Sequence, residues 1–85
     1  MYTVYFLYSK KYKNVYIGCT KDLDKRFKEH QNGLVKSTKL RKPFILVHKE
    51  TYPNLSLARR REDYLKSLYG YRERKKIIKD YLINK

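Results

Sequence analysis

The sequence predicts an α+β domain in which a small three-stranded antiparallel sheet is flanked by helices, in the order β-β-α-β-α-α. Three observations carry that expectation. Two runs of β-branched, aromatic and aliphatic residues stand near the N-terminus on either side of a Lys/Ser/Asn-rich interval. A third apolar run follows Pro43. Apolar residues at helical spacing occupy the stretches after the second and third runs. At 85 residues the chain suffices for one modest core, so residues 1–85 are expected to form a single domain.

Tyr2 to Tyr8 suits a strand and Val15 to Gly18 repeats the pattern, which together predict a β-hairpin. Within it Tyr5 and Leu7 share one face, opposite Val4 and Phe6. Register then decides where the tyrosines lie. If opposing residue numbers sum to an odd value such as 23, Tyr5 stands opposite Gly18 and on the same face as Tyr16; an even sum separates the two phenols. Thr20 or Asp22 can cap a helix running to about Gln31, with Leu23 and Phe27 as its buried stripe and Gly33 just past its end. That helix is short and must lean on the hairpin.

Phe44-Ile45-Leu46-Val47 reads as a third strand, central or partly covered on both faces. After Pro53 and Ser56, the residues Leu57, Tyr64 and Leu68, flanked by Ala58 and Leu65, recur at helical spacing until Gly70. Arg61 interrupts that stripe and is expected to snorkel or to be ion-paired. Ile77, Ile78, Tyr81 and Leu82 mark a last helix by their i,i+4 pairs.

Composition narrows the function classes. Against 8 acidic residues the chain carries 22 Lys and Arg, a net charge of +14 that favours a polyanion, nucleic acid first, over a neutral partner. A membrane partner is not expected, because the most basic tract, Lys36 to Lys42, carries a single leucine and no broad apolar face. No apolar run approaches the roughly 20 residues of a spanning helix, and the N-terminus lacks a secretory signal, so a soluble cytoplasmic protein is expected. Cys19 is the single cysteine, which excludes an intrachain disulfide and a cysteine-rich metal site. Walker loops, dinucleotide fingerprints and partnered Ser or Cys nucleophiles are also missing from the sequence.

Thr3-Val4-Tyr5 and Tyr16-Ile17-Gly18, followed by Arg26, His30, Gly33 and Glu62, resemble the catalytic set of the GIY-YIG nuclease family. The second segment keeps the family's Tyr-Ile-Gly letter for letter, whereas Thr3-Val4 replaces Gly-Ile in the first. The resemblance implies the β-β-α-β-α-α fold and hydrolysis of nucleic-acid phosphodiesters, DNA more than RNA. It also implies one Mg2+ or Mn2+ held by Glu62. Longer members, including homing endonucleases and the incision subunit of nucleotide excision repair, use added domains to choose targets. A small domain of this kind is expected to be weakly specific or directed by a protein partner. The alternative is a nucleic-acid-binding module that keeps the fold without catalysis.

The residue types suit that chemistry. Arg26 can grip phosphate oxygens with a bidentate fork, or simply pair with Asp22 one turn away. His30 is one turn from Arg26 on the same side and could accept a proton near neutral pH. A single carboxylate at Glu62 is enough for a hydrated Mg2+, although a pair with Lys66 would explain it equally. The family resemblance makes Tyr5 the favoured general base, His30 the alternative, and Tyr16 an orienting hydroxyl. A phenolate base would need its pKa brought from about 10 toward 7, roughly 4 kcal/mol. Lys36, Lys39, Arg41 and Lys42 read as a loop that contacts the phosphate backbone without reading sequence.

Overall fold

The computed structural model describes residues 1–83. Strands β1 (Tyr2–Ser9) and β2 (Asn14–Thr20) form the hairpin, helix α1 (Leu23–Gln31) follows, and β3 (Phe44–Tyr52) completes the sheet. Helices α2 (Leu55–Lys66) and α3 (Tyr71–Ile83) close the described chain. The element order is the one the sequence predicts. A 3-10 turn, Lys39–Arg41, lies inside the basic tract read as loop.

The sheet runs β2-β1-β3 with both pairings antiparallel. β1 is therefore central, which explains why Val4, Tyr5, Phe6 and Leu7 are buried in succession instead of alternating. β3 lies at an edge; its first half, Phe44–Val47, is covered on both faces, whereas Lys49 and Thr51 beyond it are exposed. In the hairpin Tyr5 pairs with Gly18 and Leu7 with Tyr16, the odd-sum register. One face buries Val4, Phe6, Ile17 and Val47 against Ala58 and Leu65 of α2, with Ile77, Ile78 and Tyr81 of α3 packed at its margin. The other holds Tyr5, Leu7 and Phe44 with Tyr16, Leu46 and the α1 residues Leu23 and Phe27.

A β-bulge breaks the β1–β3 ladder, since Phe6 pairs with His48 but Leu7 pairs with Leu46, leaving Val47 as the extra residue. Before it, Ile45 faces α2 and α3; beyond it, the parity reverses and Glu50 does. Alternation counted across Phe44–Val47 does not reveal that reversal.

Asp22 supplies the α1 cap, its carboxylate accepting the Lys25 N–H at 3.1 Å, while Thr20 Oγ1 accepts the Asp22 N–H at 3.2 Å. The helix ends in a Schellman motif: Leu34 N–H donates to the Glu29 carbonyl and Gly33 N–H to that of His30, with Gly33 at φ +73. Asn54 caps α2 by accepting the Leu57 N–H at 2.9 Å.

The stripe expected from Leu57 to Leu68 requires correction. Leu68 is 92% exposed and lies outside α2, and Leu57 and Tyr64 are also exposed; the residues that α2 buries are Ala58 and Leu65. The helix stops because the Ser67 hydroxyl takes the Tyr64 carbonyl at 2.6 Å, turning the chain before α3 begins.

Arg61, the interruption in that stripe, is ion-paired. Its Nε and Nη2 donate to the two Glu50 oxygens at 2.7 and 3.1 Å, and Nη2 also reaches Glu73 of α3. Tyr52 and His48 donate to the same Glu50 carboxylate at 2.6 and 2.7 Å. Burial acts against the Glu50 charge, but the bonds from Arg61, Tyr52 and His48 outweigh it and bring the pKa down to about 2. Removing Arg61 would leave a half-buried carboxylate short of its main partner. Arg61→Ala is expected to cost about 2 kcal/mol in urea unfolding, against a few tenths for Arg60→Ala on the exposed face.

Candidate active site

The hairpin register brings Tyr5 and Tyr16 onto the α1 face with ring centroids 6.3 Å apart. Gly18 makes that arrangement possible. A Cβ at position 18 would lie 2.5 Å from the Tyr5 hydroxyl and 2.9 Å from the Tyr16 ring, so the phenol occupies the space that any other residue would fill.

Over this face α1 carries Arg26 and His30. Tyr5 Oη lies 3.0 Å from His30 Nε2, and the His30 ring packs 5.1 Å from that of Tyr16. The other ring nitrogen, Nδ1, is 2.7 Å from Thr38 Oγ1, whose hydroxyl donates to the Val35 carbonyl at 3.4 Å. The Tyr5 oxygen faces the Arg26 guanidinium, which can only donate, so the phenol's own proton goes to Nε2 and Nδ1–H donates to the Thr38 hydroxyl. Tyr5, His30 and Thr38 are all buried. Thr38 carries no sequence signal, being a small polar residue among cations, and only the Schellman turn after α1 folds it back beneath His30.

Electrostatics set the resting state of this chain of hydroxyls. Burial, reinforced by Tyr16, pushes the Tyr5 phenol up to about 12, although Arg26 acts in the opposite sense. Burial and the Arg26 charge bring the His30 imidazolium down to about 4 despite Glu29. The pair is therefore neutral at physiological pH, a phenol donating to an imidazole. The Tyr5 shift runs opposite to the direction that a phenolate base requires.

Arg26 pairs with Glu29 at 3.1 Å, in place of the Asp22 pair weighed from sequence, and it also faces the Tyr5 hydroxyl. Burial opposes its charge, but Tyr5 and Glu29 more than compensate and raise its pKa. Glu62 projects from α2, in the other helix layer, with its side chain 17% exposed and Oε2 held by Lys66 at 2.7 Å. Its charge is felt at Tyr5 and Cys19. Among the described residues no three His, Cys, Asp or Glu side chains group around a metal position. Glu62 alone, with no bond to Oε1 among the described residues, fits a hard cation that keeps most of its waters, such as Mg2+ or Mn2+, and not zinc.

The basic tract divides. Lys36, Lys39 and Lys42 are exposed. Arg41 instead lies 5.7 Å over the Tyr16 ring, donates to Asn14 Oδ1 at 3.4 Å, and gives its carbonyl to the Ser9 hydroxyl. It thus forms part of the rim of the tyrosine cluster. Sequence reading missed that placement because Arg41 meets Tyr16 only through the 3-10 turn.

A face of two tyrosines, an arginine and a histidine on a three-stranded sheet, approached by one helical glutamate, defines a nuclease-type domain. The GIY-YIG catalytic domain matches residues 1–76, and the chain belongs to that family, whose nucleases generally use divalent metal ions. It is 38% identical over 68 residues to a UPF0213 protein of Staphylococcus epidermidis, covering 79% of this chain and 82% of that protein. A UPF0213 protein of Clostridium perfringens is 42% identical over 66 residues, covering 76% and 70%. The solution NMR structure of a UPF0213 protein from Bacillus halodurans superposes with a TM-score of 0.57 at 34% identity, covering 93% of this chain and 84% of that one. No helix of the described residues is long and apolar enough to cross a membrane.

Two outcomes follow from the geometry. Because the folded His30 pKa is about 4 against an ordinary 6.5, the unfolded chain protonates first as pH falls. The stability tied to neutral His30 is complete above pH 6.5 and declines by about 3 kcal/mol on the way to pH 4. Urea unfolding across that window should show the slope in the wild type and lose most of it in His30→Gln. Gly18→Ala should displace the Tyr5 hydroxyl and break its bond to His30, seen as a further downfield shift of the unprotonated Nε2 in imidazole 15N spectra while the sheet amides persist.

Proposed function

We propose that this chain is a divalent-metal-dependent endonuclease that hydrolyses DNA phosphodiesters, with weak sequence preference or under the direction of a protein partner. The observation that carries the reading is the buried Tyr5–His30 hydrogen bond beside Arg26, within reach of the Glu62 charge. A buried structural phenol needs one hydrogen-bond partner; an arginine and the charge of a carboxylate beside it go beyond that need.

The opposite shifts of the two groups support a division of work between Tyr5 and His30. Moving the proton from Tyr5 to His30 in the resting site would create two charges that burial disfavours. A standing phenolate is therefore absent. The Tyr5 oxygen instead takes a proton from the attacking water as its own proton passes to His30 Nε2, so no full negative charge rests on the phenol. Tyr16 orients the water or the phosphate on the same face. Arg26 offers its guanidinium to the phosphate oxygens, where charge grows in the transition state. Glu62 would hold the Mg2+ or Mn2+, which supplies charge neutralisation at the phosphate and the departing oxyanion. Lys36, Lys39 and Lys42 contribute sequence-independent attraction to the backbone.

The test is metal-dependent cleavage of duplex, branched and single-stranded DNA and of RNA by the wild type beside Arg26→Ala and Glu62→Ala. Each substitution should lower the rate at least a hundredfold, about 3 kcal/mol of barrier. Affinity should change far less, since the remaining cations still supply the nonspecific term. Equal cleavage by all three preparations, after removal of contaminating nuclease, would leave a binding module on a nuclease fold.

A further inference from the structure

A cleft of about 450 Å3 opens where the end of β2, the first turns of α1 and the start of α2 meet. Its charged lining consists of Lys21, Lys25, Arg26 and Arg59 against Asp22 and Glu29. Both acids are already occupied, Asp22 as the α1 cap and Glu29 as the partner of Arg26. Lys21, Lys25 and Arg59 are exposed and form no ion pair among the described residues. Three cations in a concavity thus lack a counter-charge, and a concave low-dielectric wall concentrates their field on whatever anion enters.

Position gives the cleft its meaning. Arg26 lines it and also faces Tyr5, so one side chain is common to the cleft and the tyrosine cluster. It lies at the N-terminal end of α1, whereas Lys39 and Lys42 follow the C-terminal end. Two cationic groups therefore bracket Arg26 along a helix of 9 residues. That length, about 14 Å, corresponds to roughly four nucleotide steps along a duplex axis.

We propose that this cleft is a second phosphate site, in which Lys21, Lys25 and Arg59 hold the backbone phosphates next to the one that Arg26 grips, so that one strand runs lengthwise along α1. The scissile phosphate in this description rests on the nuclease reading; the occupancy of the cleft by backbone phosphate does not. Neither Lys21 nor Lys25 bonds to Tyr5, His30 or Glu62 among the described residues, so neutralising those two should raise KM and leave kcat within about twofold, whereas Arg59 lies one helical turn from Glu62 and is read by binding alone.

Metal-free binding of a labelled DNA duplex, measured across a salt series, tests the proposal. The variants are Lys21→Gln/Lys25→Gln/Arg59→Gln and a charge-matched control, Lys75→Gln/Lys76→Gln/Lys79→Gln, on exposed positions of α3 beyond the opposite face of the sheet. All six side chains are exposed, and far-UV circular dichroism checks that both variants fold. The cleft variant should lose about 0.9 from the log–log salt slope per phosphate contact, up to about 2.7, and the control less than 1. Equal slopes in the two variants would overturn the proposal. A steep loss in the cleft variant of a protein that cleaves nothing would uphold the cleft and remove the nuclease reading; cleavage by the wild type with equal slopes would do the reverse.

Discussion

Because Tyr5 pairs with Gly18, the two faces of the sheet receive different jobs. The pairing turns Tyr5, Leu7 and Tyr16 toward α1 and Val4, Phe6 and Ile17 toward α2 and α3. A slip of one residue would exchange the sets for β2, burying Tyr16 among the aliphatic residues under α2 and presenting Ile17 to His30. The glycine is as consequential as the register, since it leaves the volume through which the Tyr5 hydroxyl reaches His30. Every other member of the cluster is placed relative to that phenol: His30 accepts from it, Arg26 faces it, and Thr38 holds the imidazole from behind.

Burial acts on this cluster in a coordinated way. It disfavours the phenolate and the imidazolium alike, so the site rests with its proton on oxygen and its imidazole neutral. The positive charge that remains is Arg26, itself balanced by Glu29. A surface with a formal excess of +14 therefore surrounds a nearly neutral centre. In the proposed nuclease reading, attraction of a polyanion falls to the exposed lysines and arginines, and the chemistry to groups that rest uncharged.

Much of this was legible in the sequence because it depends on short-range periodicity. Strand parity reduced Tyr5 and Tyr16 to two registers, of which the protein adopts the odd one; one helical turn put Arg26 and His30 on the same side; and the interrupted stripe left Arg61 to snorkel or to pair, and it pairs. The unread features are those in which the chain leaves a regular period. The bulge at Val47 reverses the parity of β3, and the Ser67 turn takes Leu68 out of the apolar stripe into solvent. Thr38 and Arg41 reach the cluster through an irregular segment with no repeat to read. The Tyr5 pKa belongs to the same group, since its direction depends on how deeply the phenol is enclosed.

The Arg61 guanidinium joins Glu50 of the sheet, its own helix α2 and Glu73 of α3, so three elements meet at one side chain. A fork of fixed geometry can serve two carboxylates at once, whereas the point charge of lysine cannot hold both in the same way. The three positions are consequently tied together in sequence drift. A homologue that loses the arginine is expected to have exchanged both acids for uncharged residues, converting the junction to apolar packing as a unit, because any intermediate retaining a lone acid would strand a charge between layers. Co-substitution at 50, 61 and 73 therefore offers a way to recognise how the last helix is fastened in relatives of this domain.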